Sequence, residues 1–211
     1  VTEGLKNRVV MPVSKTLAQT DHVLGHELVH AFQFNTLLTA DTSKNYSRRN
    51  LPLWMIEGMS EYLSIGSKDP NTAMWIRDAI VNDDFPDLEQ LTKSFEYFPY
   101  RYGHAFWSMV GKTWGDTVIM PLFKMTAQYG YESAIDSVLG ISSSTLSDLW
   151  ESVTRSHFGK YMSETDTTAL GKKIVSRSNA GRVNVSPSVS PDGKYVAFFS
   201  DRNIFSFNLY L

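Results

Sequence analysis

The hydrophobic periodicity of this chain changes once, near residue 162, and that change constrains its fold more than any single residue type. From about residue 21 to residue 162, apolar side chains recur three and four positions apart in one segment after another, the spacing that gives a helix one apolar face. From Val183 onward they alternate, as strands do when one face is covered. The intervening residues 163–182 are dominated by Ser, Thr, Asp, Asn and Gly and read as a linker. The pattern predicts an α+β chain: a mainly helical domain over residues 1–162, then a small β element over residues 183–211.

Residues 8–13 are valine-rich, with Pro12 suited to a sheet edge, and predict a short N-terminal strand. A helix is expected over residues 21–38, opened by Asp21. A second should follow Pro52 and stop at Gly66, with polar loop between them. Five further amphipathic segments follow, the last carrying a Thr145/Asp148 pair that resembles a capping box. In the tail a Pro-Asp-Gly turn is followed by KYVAFF and then IFSFNLYL, a two-strand pattern with a hairpin-like break.

Composition then removes whole classes of function. There is no cysteine, so disulfides, thiolate metal sites and cysteine nucleophiles are excluded, and any metal must be held by His, Asp or Glu. Twenty basic residues against 22 acidic ones leave a net charge of -2, with no broad cationic field for nucleic acid. No apolar run approaches the roughly 18 to 20 residues that span a bilayer. No signal peptide is visible in a sequence that starts at Val1.

Against that background one motif carries chemistry. His26-Glu27-Leu28-Val29-His30 is an HExxH pattern on an expected helix. Residues four apart share a helix face, so both imidazoles can reach one ion while Glu27 lies beside them as a general base for water. A catalytic zinc takes three protein ligands and leaves a position for water, which makes Glu57 on the second helix the expected third ligand of one Zn2+ per chain. Glu61, one turn on, would fix the tautomer of a zinc-bound histidine. The alternative is the exchange of roles, Glu61 as ligand and Glu57 as support. His22 lies about 12 Å along the axis from His30, too far for the three histidines to share one ion, and reads as a surface residue at the helix start. Gly25 would let another element pack closely, and His157 reads as structural.

HELVH followed by WMIEGMSEYL resembles the gluzincin metallopeptidases, and more closely their bacterial peptidase-MA-like branch. The resemblance implies peptide hydrolysis by a metal-activated water, with Glu57 as zinc ligand, Glu61 as its support, and a peptide or protein as substrate. It also implies a downstream Tyr or His that donates to the oxyanion, for which Tyr102 is the first candidate and His104 the second. An N-terminal edge strand would pair with extended substrate, and the sheet of that family is at most partly present here. Ile56 stands where the aminopeptidase branch has Asn, and no GxMEN-like segment precedes His26. The tail, SPSVSPDGKYVAFFSDRNIFSFNLYL, resembles one repeat of the TolB-like β-propellers, which implies a periplasmic or secreted bacterial protein and a protein partner for the propeller. A competing reading follows from the same resemblance: a non-catalytic interaction module whose zinc site is structural or vestigial.

Overall fold

The computed structural model describes residues 1–4, 8–39, 46–162, 172–203 and 206–211. The chain divides into two compact units, Val1–Ser163 and Glu164–Leu211. Residues 163–171 of the expected linker lie outside the described residues, and residues 172–182 form no regular element. Among the described residues no helix is long and apolar enough to cross a membrane.

In the first unit β1 (Thr2–Glu3) and β2 (Arg8–Val9) form a two-stranded antiparallel sheet. The valine-rich segment is thus a strand over two of its expected six residues, and β1 is its unforeseen partner. Eight α-helices follow among the described residues: α1 (Leu17–Thr39), α2 (Leu53–Ile65), α3 (Pro70–Val81), α4 (Leu88–Lys93), α5 (Pro99–Trp114), α6 (Ile119–Tyr129), α7 (Tyr131–Leu139) and α8 (Ser143–Met162). α1 starts four residues before the expected Asp21, because Thr16 Oγ1 accepts from the Gln19 amide at 3.2 Å and caps it there. α2 has the expected ends, with Pro52 at the N-cap and Gly66 at a positive φ of 79° closing it. The last cap is displaced: Ser142 Oγ, not Thr145, accepts an amide of the first turn of α8.

α2 is the axis of the unit. Trp54, Met55 and Met59 on α2 are buried with Phe106, Trp107 and Val110 of α5, and Leu122, Phe123, Ile135, Leu146 and Trp150 extend this core into α6, α7 and α8. α2 and α5 cross at two glycines. A Cβ on Gly58 would overlap the backbone of Gly103, and one on Gly103 would overlap the Trp54 carbonyl. α1 lies along α2 with Gly25 against Ser64, where an added Cβ would sit 3.1 Å from the serine Cβ. The β1–β2 hairpin rests on the far side of α1, with Gly4 over the Phe34 ring.

The second unit is a three-stranded antiparallel sheet in the order β3 (Asn184–Val189), β4 (Val196–Asn203) and β5 (Ser206–Tyr210). The two-strand expectation missed β3, whose alternation is broken by Pro187. A register shift between Val185 and Ser188 accommodates the break on this edge strand. Gly193, at a φ of 70°, turns β3 into β4 after the Pro-Asp pair.

Candidate metal centre

Three helices converge on one point. α1 carries His22, His26, His30 and Gln33 on the face toward α2, successive histidines one turn apart. α2 presents Glu57, Ser60 and Glu61 from its facing side. The Gly58–Gly103 crossing brings the first turn of α5, with Tyr100 and Arg101, over the same point.

The innermost atoms form a tight triangle. His30 Nε2 lies 3.1 Å from His26 Nε2, and Glu57 Oε2 lies 3.2 Å from His26 Nε2 and 3.1 Å from His30 Nε2. Two imidazole lone pairs and a carboxylate oxygen at such separations repel unless a proton or a cation sits among them. Ligands at about 2.0 to 2.1 Å from a tetrahedral zinc are about 3.3 Å apart, so the spacing fits three donors on one such ion. His26, His30 and Glu57 form a group that could hold a metal ion, and their side chains are only 11 to 13% exposed.

The outer partners fix the tautomers. Gln33 Nε2 donates to the Ile56 carbonyl at 3.0 Å, which turns Oε1 toward His30 Nδ1 at 2.9 Å. Nδ1 of His30 therefore carries the proton and Nε2 keeps its lone pair for the centre. Ser60 Oγ lies 3.2 Å from the same Nδ1 while donating to the Ile56 carbonyl. For His26 the partner is Glu61, whose Oε1 sits 2.9 Å from Nδ1, off the alignment of a full hydrogen bond. Glu61 in turn lies 3.2 Å from His22 Nε2 and, through Oε2, 3.2 Å from an Arg101 guanidinium nitrogen. His22 is consequently no plain surface residue. His22, His26 and Glu61 form a second convergent group whose shared member points its Nδ1 outward.

Electrostatics follow from this packing. Burial opposes ionisation of Glu57, but its contacts with His26 and His30 outweigh it and hold the carboxyl down at about 2. Burial also works against the charged form of His26, yet Glu57 and Glu61 together raise it to about 9. Glu61 is likewise lowered despite burial, by His26, His22 and Arg101.

Glu27 lies on the side of α1 toward the hairpin. Its Oε2 accepts from Thr2 Oγ1 at 2.7 Å and its Oε1 lies 2.9 Å from the Val1 nitrogen. These partners overcome the opposing effect of burial and keep its carboxyl below the ordinary range.

The aromatic segment at the start of α5 differs from expectation. Tyr102 is 5% exposed and packs edge-on against Phe85 and Tyr97 in the core, so it is not brought to the centre. His104 is spent on Thr72 Oγ1 and the Gly66 carbonyl at 2.8 and 2.7 Å. The tyrosine at the centre is Tyr100, which stacks on His26 with ring centroids 5.7 Å apart. Burial, reinforced by its contact with Glu57, pushes its hydroxyl up to about 12. Helical spacing held the signal: Tyr102 shares the apolar stripe of Phe106 and Met109, whereas Tyr100 falls off it. Gln33 and Ser60 were also missed, although each is a polar residue three positions from a ligand on the same face.

Residues 6–107 match the BSP family, described as "Peptidase of plants and bacteria", a span that includes every residue of the centre. No curated protein and no solved structure is matched. The match to this peptidase family indicates a hydrolase acting on peptide bonds.

Proposed function

We propose that this chain is a zinc-dependent peptidase of gluzincin type, with one Zn2+ held by His26, His30 and Glu57. The observation that carries the reading is the triangle of two Nε2 atoms and one carboxylate oxygen at 3.1 to 3.2 Å, with the outer nitrogen of His30 bonded to Gln33 and that of His26 facing Glu61. The zinc, when bound, would supply an acidified water and polarisation of the scissile carbonyl.

The chain's own residues provide the rest. Glu27, ionised and near enough to His30 to feel its charge, takes a proton from the attacking water and returns it to the leaving amine. Tyr100 keeps its proton at neutral pH and replaces Tyr102 as donor to the tetrahedral oxyanion. Gln33 and Glu61 hold the two imidazoles in their ligating tautomers. In the same reading residues 1–162 are the peptidase domain, residues 163–182 the linker, and residues 183–211 a TolB-like repeat of a periplasmic or secreted protein. Support for the last part is the SPDG turn and three antiparallel strands of the four that make a propeller blade.

The test is zinc per chain by elemental analysis together with cleavage of a peptide mixture. The wild type should hold about one zinc and cleave. Glu57→Ala should lose the metal, and Glu27→Ala should keep it while losing cleavage. A folded wild type without zinc, or an active Glu27→Ala, overturns the assignment.

A further inference from the structure

Glu61 is 4% exposed, carries a negative charge, and meets the centre through one oxygen only. Its other oxygen, Oε2, is held by Arg101, 3.2 Å away. The same guanidinium nitrogen lies 3.1 Å from Asp69 Oδ2, and Asp69 is itself fixed because that oxygen caps α3 by accepting from the Thr72 amide at 2.7 Å. A continuous chain of contacts thus runs from the N-terminus of α3, through Asp69 and Arg101, to Glu61 and the outer nitrogen of His26. Arg101 is the one cation at Glu61 Oε2 among the described residues, and its side chain is 19% exposed.

We propose that Arg101 is a positioning residue for the metal centre, acting through Glu61 on His26. This rests on the metal-centre reading above. A carboxylate can rotate about its last torsion, and because His26 and His22 both meet the same oxygen, Oε1, neither distinguishes it from Oε2 or stops the two from exchanging. Arg101 removes that freedom by pinning Oε2, and Asp69 keeps Arg101 from turning toward solvent. When Oε1 stays at Nδ1, the His26 proton stays on the outer nitrogen and Nε2 stays available to the centre. Position 101 is adjacent to Tyr100 on α5, so the helix that brings the tyrosine over His26 also brings the clamp behind it.

The geometry makes a specific statement about substitution. Both carboxylates are reached from one nitrogen rather than from the two arms of a guanidinium fork. A lysine, which offers a single point charge, can keep that bridge, although the two residues are not interchangeable where the fork is used.

The experiment measures zinc affinity by chelator competition on the wild type and on Arg101→Gln, Arg101→Lys, Glu61→Gln and the Arg101→Gln/Glu61→Gln double variant, each checked for fold by thermal melting. Arg101→Gln should bind zinc roughly 10 to 100 times more weakly, the range for loss of a partner behind a ligand. Arg101→Lys should recover most of that loss, and the double variant should be little worse than Glu61→Gln alone, since both changes break one chain. Unchanged affinity in folded Arg101→Gln, no recovery by lysine, or additive losses in the double variant would each overturn the proposal while leaving the wild-type metal centre standing. A wild type that binds no zinc removes the centre itself, and this role with it.

Discussion

Gln33→Leu tests how a ligand tautomer is set in this site. The Gln33 amide is 2% exposed and makes two bonds, accepting from His30 Nδ1 at 2.9 Å and donating to the Ile56 carbonyl at 3.0 Å. Leucine fills similar space and makes neither. The carbonyl keeps its bond from Ser60 Oγ at 3.1 Å, so the main loss is at His30, whose Nδ1 proton retains only Ser60 Oγ at 3.2 Å. Leaving a buried donor poorly satisfied costs about 1 to 3 kcal/mol. The imidazole can escape that cost by moving its proton to Nε2, the nitrogen that faces the centre, and metal binding must then reverse the move. Metal affinity should therefore fall by about 10 to 100-fold, which at about 1.4 kcal/mol per tenfold lies within the cost of the lost bond. Gln33→Glu keeps an acceptor for His30 and should retain more affinity than the leucine variant. The assay is zinc competition against a fluorescent chelator, on protein whose melting shows it folded. Affinity within about threefold of wild type in Gln33→Leu would refute the argument that this amide sets the tautomer.

Four other outcomes are expected. Tyr100→Phe keeps the stack on His26 but removes the hydroxyl, so zinc should stay bound while kcat drops by about 10² to 10³, the effect of losing an oxyanion donor; unchanged kcat would exclude Tyr100 from the reaction. Gly103→Ala should lower stability by about 1 to 3 kcal/mol even though alanine is the better helix former, since its methyl meets backbone that no rotamer change can clear; thermal melting reads this, and an unchanged Tm would show that the crossing can spread. Ser142→Ala removes the cap of α8 and should cost about 1 kcal/mol, a few degrees in Tm, without altering zinc content. For the metal-free chain the raised His26, about 9 against an ordinary 6.5, stabilises fully below pH 6.5 and loses that effect as pH rises through 9, while Glu57, about 2 against 4.5, stabilises fully above pH 4.5 and loses it as pH falls through 2. Melting in the presence of chelator should therefore peak between pH 4.5 and 6.5, and a Tm rising steadily through pH 9 would contradict the pairing of these groups.

The elements that were legible in the sequence are those fixed by local chemistry. The ends of α2 follow from Pro52 and Gly66, and the convergence of His26, His30 and Glu57 follows from helical spacing on two facing helices. The parts that were not legible depend on contacts distant in sequence. β1 is two residues long and has meaning only because Thr2 reaches Glu27, and the start of α1 turns on whether Thr16 or Asp21 captures an amide. Tyr100 and Tyr102 are two positions apart, about 200° around a helix, so choosing between them required knowing which side of α5 meets α2. Gln33 and Ser60 look like ordinary polar residues until the Ile56 carbonyl is seen between them.

The glycine crossing of α2 and α5 also sets what can vary in a molecule like this one. Glu57 precedes Gly58 by one residue, and Tyr100 and Arg101 precede Gly103 by three and two, so the carboxylate and the groups above it hang from two backbones that touch directly. Their spacing does not pass through any large side chain. Substitutions among Phe106, Trp107 or Leu122 can loosen or refill the interior and change how readily the chain unfolds, yet leave the distance between ligand helix and tyrosine helix where it was. Sequence drift in the core and drift in the reactive geometry are thereby separated. The first is buffered by many interchangeable apolar contacts, and the second hinges on two positions that tolerate no added carbon.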